Sequence, residues 1–280
     1  MVASRKIPPV IVFAVFALTP LLTAAELFPD KNLEAAVRQY VFAKRDNNEP
    51  LTAEDVKSLS TITARGKGIR DLTGLEACKR LALLELPDNE ISDLTPLRGL
   101  NLIQSLTLKN NRIADISPLA DLDHLQYLEL SGNQVEDLSP LAGLTAMNSL
   151  YLSGNKISDI SPVAKLNRLW SLYLKDNKIS DIKPLAQLKN LSSLDLAGNN
   201  ISDISALTAL DRLNYLFLDG NKLTAISDLV AMAKKDHEGE DRFARYWYVS
   251  LGGNPLTEAA KTQIEELRKY SREVVVKPGG

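Results

Sequence analysis

The sequence predicts an α/β solenoid in which short parallel strands stack turn upon turn along one face. Two observations carry this. Asn89, Asn111, Asn133, Asn155, Asn177, Asn199 and Asn221 are spaced by 22 residues without a slip. Around each, the same apolar frame recurs, as Leu125, Leu128, Leu130, Val135, Leu138, Leu141 and Leu144 in one turn and Leu169, Leu172, Leu174, Ile179, Ile182, Leu185 and Leu188 in another. A fixed period of this length marks an architecture whose units bury their apolar faces against their neighbours.

The frame reads as a leucine-rich repeat, and so as a right-handed arc or horseshoe with a parallel β-sheet on its concave face. It continues upstream as Leu59, Ile62, Ala64, Ile69, Leu72 and Leu75, with Lys67 at the asparagine position. It returns downstream as Tyr246, Val249, Leu251, Asn254 and Leu256, which makes nine turns over residues 59–256, seven of them regular. The Leu-x-Leu pair alternates as a strand with one buried face must. At about 4.8 Å per strand the nine turns span roughly 40 Å. The asparagine amide offers donors and an acceptor to backbone groups where the chain bends inside the core.

The residue before that asparagine is Gly66, Asp88, Asn110, Gly132, Gly154, Asp176, Gly198, Gly220 or Gly253. Only residue types that tolerate positive φ occur there, so a left-handed backbone position is expected in every turn. On the return side, Ser117, Ser139 and Ser161 precede Pro118, Pro140 and Pro162. Serine suits an N-cap and proline the first helical position. The space is short, so 3₁₀ turns are expected on the convex face. Asp93, Asp115, Asp137, Asp159, Asp181 and Asp203 recur just before them. Their expected role is to accept the backbone N–H bonds that start each turn.

A stack of turns needs capping at both ends. Residues 26–58 form the expected helical N-terminal cap. Its first helix covers residues 30–43, with Asp30 as N-cap and Leu33, Val37 and Val41 on one face. A second helix begins at Thr52 with Asp55 placed for a capping box. Residues 257–280 hold a C-terminal cap helix, with Ala260, Ile264 and Leu267 inward, and an edge strand near Val274–Val276. The last turn carries 11 extra residues around Ser227–Tyr246, predicting a helix from Asp228 to about Lys235 that ends near Gly239. The dense Asp236, His237, Glu238, Glu240 and Asp241 that follow fit a solvated polar turn better than a metal site.

Residues 1–25 have the layout of a secretory signal peptide: basic Arg5 and Lys6, an apolar run over 10–22, then Thr23-Ala24-Ala25. The run is short for a membrane span and is interrupted by Pro20. Removing this segment takes away two basic residues and no acidic one, so the net charge falls from −2 to −4. The lone Cys78 excludes an intrachain disulfide and aligns with core leucines, and no cysteine follows the apolar run as a lipid anchor requires. A secreted or periplasmic location is expected, with no stable membrane insertion. The mildly acidic charge offers nothing to nucleic acid.

No nucleophile elbow, phosphate loop or zinc motif occurs, and the two histidines, His124 and His237, lie outside any site constellation. Glu85 and Glu129 are two turns apart, about 10 Å at the strand spacing and beyond the usual glycosidase pairs. The chain is expected not to be an enzyme and to need no cofactor or metal.

The column between the paired leucines reads Thr63, Glu85, Thr107, Glu129, Tyr151, Tyr173, Asp195, Phe217 and Ser250. The column before it contributes Tyr127, Tyr215 and Tyr248, and the one after it Lys109, Lys175 and Asp219, with Trp170 nearby. Aromatic residues concentrated on an exposed face are what interaction hot spots use, although they also suit strands and stack between turns. A protein partner is the first expectation and a glycan the second, bound by a monomer.

The motif Asn-x-Ile-x-Asp-Ile-x-Pro-Leu, seen at Asn177–Leu185, resembles the repeats of bacterial internalins and internalin-like proteins. Residues 28–80 resemble their helical N-terminal cap, including Gly68-Ile69 and Gly74-Leu75-Glu76. Internalins of host-cell invasion carry immunoglobulin-like and wall-attachment modules after the repeats. Here 24 residues follow Leu256, so a wall-anchored adhesin is not expected. The repeats also resemble eukaryotic phosphatase-regulating proteins, an intracellular role that the N-terminal segment argues against.

Overall fold

The computed structural model describes residues 26–276. The expected signal peptide therefore lies outside the described residues. Ten three-residue strands form one parallel sheet in chain order: β1 Thr61–Thr63, β2 Leu83–Glu85, β3 Ser105–Thr107, β4 Tyr127–Glu129, β5 Ser149–Tyr151, β6 Ser171–Tyr173, β7 Ser193–Asp195, β8 Tyr215–Phe217, β9 Tyr248–Ser250 and β10 Glu273–Val275. From β1 to β8 each residue faces the one 22 positions later, as Leu128 faces Leu150. The insertion lengthens that step to 33 between β8 and β9, where Leu216 faces Val249. The middle residue of every strand is buried, and the strands, 3₁₀ turns and cap helices share one continuous core. The 3₁₀ returns take more room than the strands, so the stack curves with the sheet inside.

The asparagine ladder works as a bridge between turns. Asn155 donates Nδ2–H to Leu130 O at 3.0 Å and Leu152 O at 2.9 Å, and its Oδ1 accepts Val135 N–H at 2.9 Å. The same three-way pattern recurs from Asn111 to Asn221 and again at Asn254. Lys67 is exposed at this register because the first turn has no preceding turn to bridge; its N–H is taken by Asn89 Oδ1. All nine positions expected to be left-handed are so, with φ between 54° and 70°. A Cβ on Gly132 would lie 2.2 Å from Asn110 Oδ1, and one on Gly198 2.1 Å from Asp176 Oδ1. The Asn110 and Asp176 side chains thus cover the following turn, where glycine leaves room for them; after Asp88 the next turn holds Asn110 instead, whose amide donates to Asp88 Oδ1 at 2.7 Å.

The convex turns are 3₁₀, but serine is not their N-cap. The capping position is held by Ile116, Leu138 and Ile160, and Ser117, Ser139 and Ser161 are the first helical residues. The preceding aspartate supplies the bond: Asp137 Oδ1 accepts Ser139 N–H at 2.7 Å and Oδ2 accepts its hydroxyl at 2.7 Å. These bonds from Ser139, backbone first, hold the Asp137 carboxyl below its ordinary range.

At the N-terminal end, α1 (Lys31–Arg38) is capped by Asp30 and buries Leu33 and Val37. It stops short of residue 43, and Val41 is buried beyond it in tighter turns, with Val41 N–H on Arg38 O. Arg38 Nη1 then donates to the carbonyls of Lys44, Asn47 and Glu49, which holds the following loop. Asp30 also accepts the N–H groups of Arg70 and Asp71, locking the cap to the first turn. α2 (Ala53–Val56) has the capping box of Thr52 and Asp55, and Tyr40 Oη accepts the Thr63 N–H at the sheet edge. At the other end, α3 (Ser227–Glu238) runs three residues beyond the expected Lys235. α4 (Glu258–Arg268) buries Ala260, Ile264 and Leu267 as expected. Among the described residues, no helix is long and apolar enough to cross a membrane.

Candidate functional site

Alternation along each strand turns its first and third residues out from the core onto the concave face. The parallel register then places Tyr151 beside Tyr173 and Tyr215 beside Tyr248, and rings of the adjoining column, Tyr127 and Phe217, reach them diagonally, which assembles two aromatic groups. In the first, Tyr127 and Tyr151 have ring centroids 5.3 Å apart, and Tyr151 meets Tyr173 edge-on at 4.9 Å. Tyr173 Oη shares a 2.9 Å hydrogen bond with Ser193 Oγ. In the second, Tyr248 stacks against Phe217 at 5.5 Å and Tyr215 at 6.5 Å. Asp195 occupies the central column between them.

The charged residues divide by use. Glu129 accepts Ser131 N–H at 2.7 Å, and Asp195 accepts Ala197 N–H at 3.0 Å, so both close the ends of their own strands. Asp219 Oδ1 takes Ser250 Oγ–H at 2.7 Å and Gly252 N–H at 2.9 Å, which ties the turn that carries the insertion to its neighbour. Glu85 is half-buried beside the first group, and Lys109 and Lys175 are exposed. Burial raises the Asp195 carboxyl above its ordinary range despite the Ala197 N–H and nearby Lys175. Burial, then Glu129, Tyr151 and Glu85, also raises the Tyr127 phenol. The result is a rigid strip of rings with hydroxyl tips, large in contact area and low in conformational entropy, flanked by charge.

Trp170 is not part of this strip. It precedes β6 and lines a cleft on the flank, where the returns lead into the strands, with Asn190, Ser192 and Asn214. Among the described residues no aromatic ring pairs with it. In the inserted segment His237, Glu238 and Glu240 are exposed, as a solvated turn requires, but Asp236 departs from it. Asp236 is buried and accepts the N–H groups of Arg242, Phe243 and Ala244 at 3.2, 3.0 and 2.9 Å. A sequence signal existed in the Phe243–Trp247 pair, which now packs edge-on at 5.4 Å beneath the loop.

Cys78 is buried, and burial with Glu76 nearby pushes its thiol up to about 12, which leaves it inert. Among the described residues, no three His, Cys, Asp or Glu side chains converge as metal ligands would.

The repeats match the family described as Leucine Rich repeats (2 copies), in overlapping segments from 101–143 to 189–231. The protein is a leucine-rich-repeat solenoid. Internalin C2 from Listeria monocytogenes is 34% identical, with a TM-score of 0.72 over 80% of this chain and 94% of that one. The chain belongs to the internalin-like leucine-rich-repeat proteins. The fold is shared with the Leptospira interrogans LRR protein LIC12759, at 22% identity and a TM-score of 0.67 over 80% of this chain and 62% of that one. It is also shared with the functional domain of InlJ from Listeria monocytogenes, at 24% identity and 0.61 over 83% and 52%. No curated protein matches the sequence.

Proposed function

We propose that the protein is a secreted or periplasmic module that binds a protein partner through its concave face, without catalysis. The observation that carries this is the pair of aromatic groups, Tyr127–Tyr151–Tyr173 and Phe217–Tyr248–Tyr215, on the outward face of the sheet. Tyrosines held by neighbouring turns need little further ordering to bind, and their rings and hydroxyls serve apolar and polar contacts alike. Lys109 and Lys175 form an exposed polar rim, and Glu85 and Glu129 add acidic character toward the N-terminal half. Export rests on the basic, apolar and small-residue order of residues 1–25.

Capture of partners from cell-envelope and culture-fluid extracts tests the reading. The wild type should retain a defined partner, and Tyr151→Ala/Tyr173→Ala should lose it. Retention of every partner by the double variant would place binding elsewhere. Recovery of the protein only from the cytoplasm would remove the export part of the reading.

A further inference from the structure

Two departures from the repeat meet on the flank of the arc. One is Trp170, 62% exposed at a register position that holds Gln126, Asn148, Ser192 and Asn214 in neighbouring turns. The equivalent residue of the last turn is Trp247, which is wholly buried. The other is the insertion, whose Arg242 and Phe243 share with Trp170 the lining of a 250 Å³ cleft.

The cleft is held in shape by bonds independent of the concave face. Asp236 fixes the backbone of Arg242 and Phe243 from below. Arg242 pairs with Asp211 at 2.8 Å, which fastens the insertion to the preceding return. Arg212 reaches Asn190 Oδ1 at 3.4 Å, and the Asn214 amide reaches Ser192 Oγ at 3.3 Å. Among the described residues, the second Asp211 carboxylate oxygen, the Asn214 amide oxygen and the other Arg212 N–H groups have no side-chain partner.

We propose that this cleft binds one pyranose ring of a neutral glycan. A pyranose has an apolar C–H face and a rim of hydroxyls, each both donor and acceptor. The exposed indole suits the first; adjacent amide, carboxylate and guanidinium groups suit the second. Pockets for drug-sized ligands run from about 300 to 1,000 Å³, so this one is sized for a single ring. Arg242 pairs with Asp211 and with Glu240 at 3.1 Å; with Arg212 counted, two guanidinium groups stand against these two carboxylates, so the site carries no net charge to select an acidic sugar. An apolar peptide side chain would instead call for an apolar pocket, whereas six of the eight lining side chains here are polar.

Saturation-transfer NMR and calorimetry on the purified protein, with the trisaccharides of glucose, mannose and N-acetylglucosamine as probes, test the site. At least one probe should bind saturably in the millimolar range, through the C–H protons of one ring. Trp170→Ala should weaken it about tenfold or more, as loss of an aromatic stacking platform does. Asn214→Ala should weaken it as well, with the circular dichroism of both variants unchanged. Tyr151→Ala/Tyr173→Ala should bind as the wild type does, which separates this site from the concave face. Absence of saturable binding by all three probes overturns the proposal. So does binding that survives Trp170→Ala, or binding lost in the tyrosine variant.

Discussion

Asn155 joins a donor and two acceptors from two turns, and each of those groups lies away from water. Leaving a buried backbone group without a partner costs about 1–3 kcal/mol. In Asn155→Ala the Val135 N–H is left without a partner, while Leu130 O and Leu152 O keep the amides of Asn133 and Asn177, so the unfolding free energy should fall by about 1–3 kcal/mol in urea titration followed by circular dichroism. Lys67→Ala, at the same register, should change it by about 0.5 kcal/mol or less, because the exposed side chain bridges nothing. Equal losses at the two positions would contradict the bridging role. The ladder, the left-handed position and the inward leucines were legible in the sequence because each environment repeats in eight or nine turns. The acceptor role of Asp137 was legible too, but the place of Ser139 as first helical residue and not as cap was not. Both are polar neighbours, and the outcome depends on the backbone of Leu138, at φ −98° and ψ 1°.

At the scale of elements, the caps show which side chains anchor the ends. Asp55 accepts from Lys44 Nζ at 2.8 Å and from the Thr52 N–H and hydroxyl at 2.7 and 2.6 Å. These bonds, that of Lys44 first, bring its carboxyl from the usual 3.8 to about 2. A carboxyl depressed in the folded state stabilises it fully above the unfolded value and loses that contribution as pH falls through the folded one. The cap should thus hold at pH 4 and loosen as pH approaches about 2. Carbon-detected NMR should place the Asp55 midpoint near 2 and move it up in Lys44→Met; an unmoved midpoint would remove Lys44 from the cause. At the opposite end, Leu267 is fully buried on α4. Leu267→Ala should cost about 2–5 kcal/mol in the same urea titration, with hydrogen exchange rising first in β9 and β10. The cap helices were readable because their capping residues and apolar spacing are local. The buried role of Asp236 was not, since the insertion has no other turn to align with and its partners come from residues six to eight positions later.

For the whole molecule, parallel register converts a column in the sequence into a strip in space. Once one turn is placed, Tyr151 and Tyr173 must meet, and they do, while Tyr127 reaches Tyr151 diagonally from the adjoining column. Trp170 escaped that logic because it precedes the strand, where alternation no longer sets direction, and because its cleft is completed by a segment far along the chain. The proposed function rests on the concave strip. Its most direct test is the affinity of the captured partner, measured by calorimetry for Tyr151→Ala, Tyr215→Ala and the exposed convex control Lys165→Ala. A loss of about tenfold or more is expected for each tyrosine variant, as for hot-spot truncations, and a change within about twofold for the control. Unchanged affinity in both tyrosine variants, or a comparable loss in the control, would contradict it.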